Sequence, residues 1–125
     1  MKKKISFLLI GYSHIARKRV IDVFLKDKVT FSVASKSYLK KIQGAKKQFS
    51  NYDEALLNSE ANIVYISLPN SLHFYWAKKA LLLGYHVIVD KPLCYSIAET
   101  TELINIAKKK INYYRRQFFT IIIIK

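Results

Sequence analysis

The chain's densest chemistry lies where two apolar runs end. Ile63 to Ser67 stops at Leu68-Pro69-Asn70, and His86 to Val89 runs directly into Asp90-Lys91-Pro92. Between them lie an amphipathic stretch from Ser71 to Leu83 and a glycine, Gly84. Two buried strands joined by a helix run parallel and deliver their last residues to the same sheet edge, which is where open α/β sheets bind ligands. Lys91 brings an ammonium to that edge and is held by the proline after it, so it is a candidate for chemistry as well as for solubility. The competing reading is a solvated strand-end lysine.

A second chemical signal stands near the start. Gly11-Tyr12-Ser13-His14-Ile15-Ala16 falls between an apolar run, Ile5 to Ile10, and an amphipathic helix. That is the place of a G-x-G-x-x-G/A turn, which needs a tight bend, close backbone approach to a pyrophosphate and free helix N–H groups aimed at the anion. Gly11 supplies the bend, and Ala16 is small enough for close helix–strand packing. Ser13 replaces the second glycine; its hydroxyl could bond a phosphate oxygen or simply cap the helix. About 20 residues further on, an NAD site offers Asp or Glu to the ribose 2′-hydroxyl. Here the chain reads Ala34-Ser35-Lys36-Ser37, without an acid. Hydroxyls around a cation suit a 2′-phosphate, so NADP is expected in preference to NAD. The alternative is that Lys36 is one more solvated lysine.

The elements that must hold these residues alternate regularly. A helix is expected from about His14 to Lys26, with Ala16, Val20, Val23 and Phe24 on its buried face. Val29, Phe31 and Val33 alternate as a second strand. Tyr38 to Ile42 reads as a short helical piece and Lys47 to Phe49 as a brief edge strand. Asn51 with Glu54, and Ser96 with Glu99, have the spacing of capping boxes opening helices to Leu57 and about Lys110. No internal repeat or linker interrupts the series. Strands and helices in this order predict a parallel, doubly wound α/β sheet.

Composition bounds the remaining classes. At 125 residues with 51% hydrophobic residues, the chain can bury the core of one domain. Lone Cys94 builds no disulfide framework and has no metal-ligand spacing around it, so no metal site is expected and a reducing cytoplasm is the expected setting. The net charge of +14 invites a nucleic-acid reading. The lysines are spread over the polar faces of the expected helices instead of forming a patch, which argues against nucleic acid or an acidic membrane surface. Met1-Lys2-Lys3-Lys4 before Ile5 to Ile10 imitates a signal peptide, but the apolar run is short and Arg17, Lys18 and Arg19 follow closely. No apolar run approaches the roughly 18 residues that span a bilayer.

These residues also carry a family resemblance. Gly11 to Ala16, Ala34 to Ser37, Tyr52-Asp53-Glu54-Ala55-Leu56, Val64 to His73 and Gly84 to Pro92 together resemble the N-terminal domain of the Gfo/Idh/MocA oxidoreductases. The resemblance spans about residues 4 to 110, and its PNSLH and DKP segments are its specific part. It implies a Rossmann-like doubly wound parallel sheet that binds NADP or NAD, with the substrate domain absent. By the same resemblance Gly11, Ser13, His14, Ile15, Ser35 and Lys36 would meet the cofactor. Ser67, Leu68, Pro69 and Asn70 would line the nicotinamide and its ribose, with His73 beside them and Asp90, Lys91 and Pro92 completing the site. Lys91 would bridge the nicotinamide ribose and a substrate hydroxyl or carbonyl, where the nearby positive ring lowers its pKa towards a useful range. The family carries Glu where this chain has Asp90, a shorter reach.

The expected domain covers residues 1 to 111, and residues 112 to 125 form an atypical tail. Asn112 to Lys125 departs most from the family, which continues with another strand and a substrate-binding domain. The Phe118-Phe119-Thr120-Ile121-Ile122-Ile123-Ile124 run reads either as that strand in altered form or as an aggregation-prone window. The departure suggests a truncated or frame-shifted oxidoreductase, and an open sheet edge would invite self-association. The activity implied is hydride transfer between a nicotinamide cofactor and a sugar- or polyol-like alcohol, given a substrate domain. The alternatives are a dinucleotide-binding module without catalysis, an inactive gene remnant and, behind them, a basic nucleic-acid-binding protein.

Overall fold

A computed structural model describes residues 5–37, 40–90, 96–113 and 121–124. Its strands are β1 (Ser6–Ile10), β2 (Thr30–Ala34), β3 (Gln48–Phe49), β4 (Ile63–Ile66), β5 (His86–Asp90) and β6 (Ile121–Ile124). All pair in parallel, in the order β3-β2-β1-β4-β5-β6. This is the doubly wound Rossmann order, built outward from β1 in both directions. β1 pairs with β2 on one side and β4 on the other, so the chain reverses direction across the sheet between β1 and β4. The isoleucines of β6 join the same sheet beside β5. They therefore take the strand reading of that segment.

The helices are unevenly shared between the faces. α2 (Tyr52–Asn58), α3 (His73–Leu82) and α4 (Ile97–Tyr113) pack on one. There Trp76, Ala77, Leu81 and Leu103 meet Leu8, Ile10, Val64, Ile66, Val87 and Val89. The opposite face holds Leu9, Phe31, Val33 and Tyr65 against a single helical run. Strands buried on both faces explain the continuous apolar runs in the sequence. α4 extends through the expected boundary at Ile111.

That single helical run differs from expectation in its phase. It begins at His14, passes through a π-helical segment, Ala16–Val20, and continues as α1 (Ile21–Lys26). The Ile21 N–H donates to Ala16 O, five residues back instead of four. The buried residues are consequently Ala16, Ile21 and Phe24, while Val23, expected inside, is 53% exposed. The extra residue in the turn moves Ile21 into the place a regular helix would give Val20.

Capping is well defined where the sequence marked it. Asn51 Oδ1 accepts from Glu54 N–H at 2.9 Å, and Ser96 Oγ from Glu99 N–H at 3.1 Å. The short helix expected at Tyr38 to Ile42 is not present in its described part, residues 40–42; Tyr38 and Leu39 lie outside the described residues. The Gln48 side chain takes over the local hydrogen bonds, accepting from Ile42 N–H at 2.7 Å and donating to Lys40 O at 2.9 Å. Buried Ile42 anchors the loop against the α1 side of the sheet.

Candidate dinucleotide site at the sheet's switch point

The carboxyl ends of β1 and β4 are brought together by backbone contact. Gly11 N–H donates to Ala34 O at 2.8 Å, and Ser67 N–H donates to Ile10 O at 2.8 Å. Gly11 has φ +93, a conformation side chains rarely tolerate. A Cβ built there would stand 2.3 Å from Ser67 O and 2.8 Å from Leu68 Cδ2. Only glycine lets the first turn lie this close to the end of β4. Its role is thus twofold: it bends the chain and removes the atom that would hold the two strand ends apart.

Ser13 uses that proximity. Its Oγ accepts from Ala16 N–H at 3.1 Å and forms a short hydrogen bond with Ser67 Oγ. Ser13 therefore caps the helix and also bridges to the other side of the switch. The Arg17 guanidinium lies 4.4 Å from the Tyr12 ring centroid, and its Nε donates to Tyr12 O at 3.3 Å, which steadies the middle of the turn.

A cavity of about 860 Å³ opens from this point, within the range of roughly 300–1,000 Å³ common for ligand sites. Ser13, Ile15, Ser67, Leu68, Pro69, Asn70 and His73 line it, as does Arg19. Its inner wall is apolar: Phe7, Val20, Val23, Phe24, Tyr65 and Ile88, where the sheet face beside α1 carries no further helix among the described residues. A polar rim of hydroxyls and an amide over an apolar wall suits a ligand with phosphate and ribose oxygens and flat rings. Gly11 itself is buried and does not line the cavity; the close approach it permits sets the Ser13 and Ser67 hydroxyls side by side there. Ser13, Ile15, Ser67 and Asn70, all expected to meet the cofactor, line the cavity together.

His73 plays a different part from its neighbours. It is fully buried, and its Nε2 lies 2.8 Å from Leu68 O. A carbonyl only accepts, so Nε2 carries the donated proton. Pro69, at φ −56 and ψ 150, turns the chain out of β4, and a short 3₁₀ turn, Asn70–Leu72, leads into α3. His73 thus ties the start of α3 to the loop that presents Ser67 and Asn70, while remaining at the cavity wall.

The other sequence candidates lie apart. His14 is exposed and does not line the cavity. Ser35 is buried at the end of β2, its N–H donating to Phe49 O at 3.0 Å. Lys36 is exposed, with its ammonium 4.9 Å from the centre of the Tyr52 ring. Tyr52 in turn packs edge-on against Trp76, centroids 5.1 Å apart, and burial raises the Tyr52 hydroxyl above its ordinary pKa, an effect the Lys36 backbone bond partly offsets. Asp90 closes β5 at the same carboxyl edge. Lys91 and Pro92 lie outside the described residues.

Sequence reasoning missed Arg19 and the apolar wall. Arg19 reads as part of a solvated Arg17-Lys18-Arg19 run, and the wall follows from helix distribution, which no local pattern records. Among the described residues there is no group of His, Cys, Asp and Glu able to hold a metal, and no helix long and apolar enough to cross a membrane.

Comparison with known proteins agrees with this geometry. Residues 5–118 match the model of the Gfo/Idh/MocA group, described as an oxidoreductase family with an NAD-binding Rossmann fold. An uncharacterized oxidoreductase of Rhizobium meliloti is 35% identical over 109 residues, covering 81% of this chain and 32% of the relative. The dTDP-3,4-didehydro-2,6-dideoxy-alpha-D-glucose 3-reductase of Streptomyces violaceoruber is 34% identical over 107 residues, covering 80% of this chain and 31% of its own. Among solved structures, a variant of the 3-ketoreductase KijD10 from Actinomadura kijaniata, in complex with TDP-benzene and NADP, superposes with a TM-score of 0.76. It is 26% identical, over 86% of this chain and 35% of that one. The chain spans about a third of the length of the curated relatives it matches. With its strand order, its glycine turn and the match over residues 5–118, the chain belongs to the Gfo/Idh/MocA oxidoreductase family, as its NAD-binding Rossmann domain.

Proposed function

We propose that this domain holds NADP(H) in preference to NAD(H) and forms the cofactor half of an oxidoreductase acting on a sugar-like alcohol or ketone. The observation that carries the binding reading is the close approach that Gly11 permits, with no room for a Cβ beside Ser67 O, which brings Ser13 and Ser67 together at the 860 Å³ cavity that both line. The preference for NADP rests on Lys36, exposed at the end of β2 in a segment without an acid. A 2′-phosphate there would gain an ion pair, whereas a free 2′-hydroxyl would find no carboxylate.

Lys91 is the catalytic residue of this proposal. It directly follows β5, the strand next to β4. In the reductive direction a bound NADPH would supply hydride to a carbonyl carbon, and the carbonyl oxygen would need a proton. An ammonium bonded to that oxygen stabilises the developing negative charge. The substrate class follows from the sugar-nucleotide reductase among the relatives.

Fluorescence titration tests the cofactor reading. Trp76 is the chain's single tryptophan and touches Tyr52, whose ring lies under Lys36. NADPH should quench Trp76 saturably and bind more tightly than NADH. Lys36→Ala should remove most of that difference while leaving NADH binding nearly unchanged. Equal affinities for the two cofactors would refute the preference, and no saturable binding of either would refute the reading itself.

A further inference from the structure

The hydroxyls of Ser13 and Ser67 can be counted proton by proton. Each has one O–H to donate and two lone pairs to accept with. Ser13 Oγ already accepts from Ala16 N–H, and the two oxygens share one hydrogen bond. If Ser67 donates, both Ser13 lone pairs are filled and the Ser13 O–H must find another acceptor. If Ser13 donates, the Ser67 O–H is the one left over. In either arrangement one proton remains, and neither hydroxyl has another acceptor among the described residues. Both serines line the cavity, and Ser67 is only 6% exposed.

We propose that Ser13 and Ser67 act as one two-hydroxyl relay that donates its spare proton to a pyrophosphate oxygen of the bound dinucleotide. This rests on the dinucleotide reading above and deepens it. A phosphate oxygen only accepts, so it matches the single spare donor, and the Ser13 turn stands where a glycine fingerprint receives the pyrophosphate. In such a fingerprint the second glycine serves by being small. Here the position serves by its hydroxyl, and it does so only because Gly11 lets Ser67 come within reach. The two oxygens back each other up: removing either one leaves the other with its own O–H to offer, so the donor is lost only when both hydroxyls go.

The test uses the full chain with Ser13→Ala, Ser67→Ala, the double variant and Ser13→Gly. Two probes are compared: NADPH, and adenosine 2′-phosphate, which carries no phosphate at the 5′ position. Each single variant should weaken NADPH binding by no more than about twofold, because one O–H remains. The double variant should lose about fivefold, the worth of an ordinary hydrogen bond. Ser13→Gly should behave as Ser13→Ala, and binding of adenosine 2′-phosphate should stay as in the wild type. Ser67→Ala keeps the helix cap and so separates the relay from helix stability. A double variant that loses no more than the product of the single losses would show two independent groups and overturn the relay. Tighter binding by Ser13→Gly would show that small size, not the hydroxyl, is what the position needs, and an equal loss with adenosine 2′-phosphate would assign the effect to general structure. Should the wild type bind no dinucleotide at all, the functional reading fails; should it bind while the serine variants bind equally well, only the relay fails.

Discussion

Replacing Gly11 with alanine tests the geometry of the switch point directly, and Gly44 provides the control. Both glycines have positive φ, +93 and +86, so both alanine variants carry a similar backbone penalty of about 1–2 kcal/mol. They differ in what the new methyl meets. At Gly11 it would lie 2.3 Å from the backbone oxygen of Ser67, which is fixed in place by the Ser67 N–H bond to Ile10 O. At Gly44 it would lie 2.4 Å from Leu25 Cδ2, the far end of a side chain that is 44% exposed and can swing aside. Overpacking against atoms that cannot move costs about 1–3 kcal/mol more. Gly11→Ala should therefore destabilise by roughly 2–5 kcal/mol and Gly44→Ala by about 1–2 kcal/mol, against a total stability of about 5–15 kcal/mol for an ordinary domain. Urea unfolding followed by Trp76 fluorescence reads the difference. With a slope of about 2 kcal/mol per M, the midpoints of the two variants should separate by roughly 0.5–1.5 M. Dinucleotide binding should also be lost in Gly11→Ala at urea-free conditions where Gly44→Ala still binds. Equal midpoints would mean that the close approach of the strand ends has no energetic weight, and the account of the switch point would fall.

Three further outcomes follow from the same structure. Lys28, past the end of α1, has φ 55, so Lys28→Gly should raise stability by roughly 0.5–1 kcal/mol in the same urea assay. The buried Tyr85 hydroxyl donates to Leu56 O and lies 3.3 Å from Ser59 Oγ; Tyr85→Phe leaves that carbonyl without its donor and should cost about 1–3 kcal/mol. Burial pushes the His86 imidazole below its ordinary 6.5. The unfolded chain therefore takes up this proton first as pH falls through about 6.5, and stability should drop in that window until the folded imidazole also protonates. His86→Gln should flatten that part of a stability–pH profile, and an unchanged slope would remove His86 as its source.

The sequence carried the sheet and the turn because both are local. A short continuous apolar run such as Ile5 to Ile10, ended by Gly11 and followed by a helical pattern, reads as a buried strand that turns into a helix. The capping residues Asn51 and Ser96 were equally legible, since a cap is a matter of spacing by three. What was not legible depended on side-chain partners that no spacing rule names. Residues 40–42 are held by the Gln48 side chain, and nothing near them announces that. Ser13 meets Ser67 across 54 positions, so the coupling of the two hydroxyls was invisible even though both were candidates. His73 lines the cavity, and its bond to the Leu68 carbonyl, set by the path of the Pro69 turn, has no spacing signal of its own.

The π-helical turn at Ala16–Val20 has a consequence for how this first helix tolerates change. One inserted residue sets the two ends of the helix out of phase, by about 100° at 3.6 residues per turn. Ile15 and Arg19 face the cavity from the first register, with Ala16 in the core; in the second, Ile21 faces the core and Phe24 both the core and the cavity wall. Each end can thus be tuned without rotating the other. Deleting a single residue from Arg17 to Arg19 would merge the two registers, and the helix would have to give up either its core contacts or its side of the cavity.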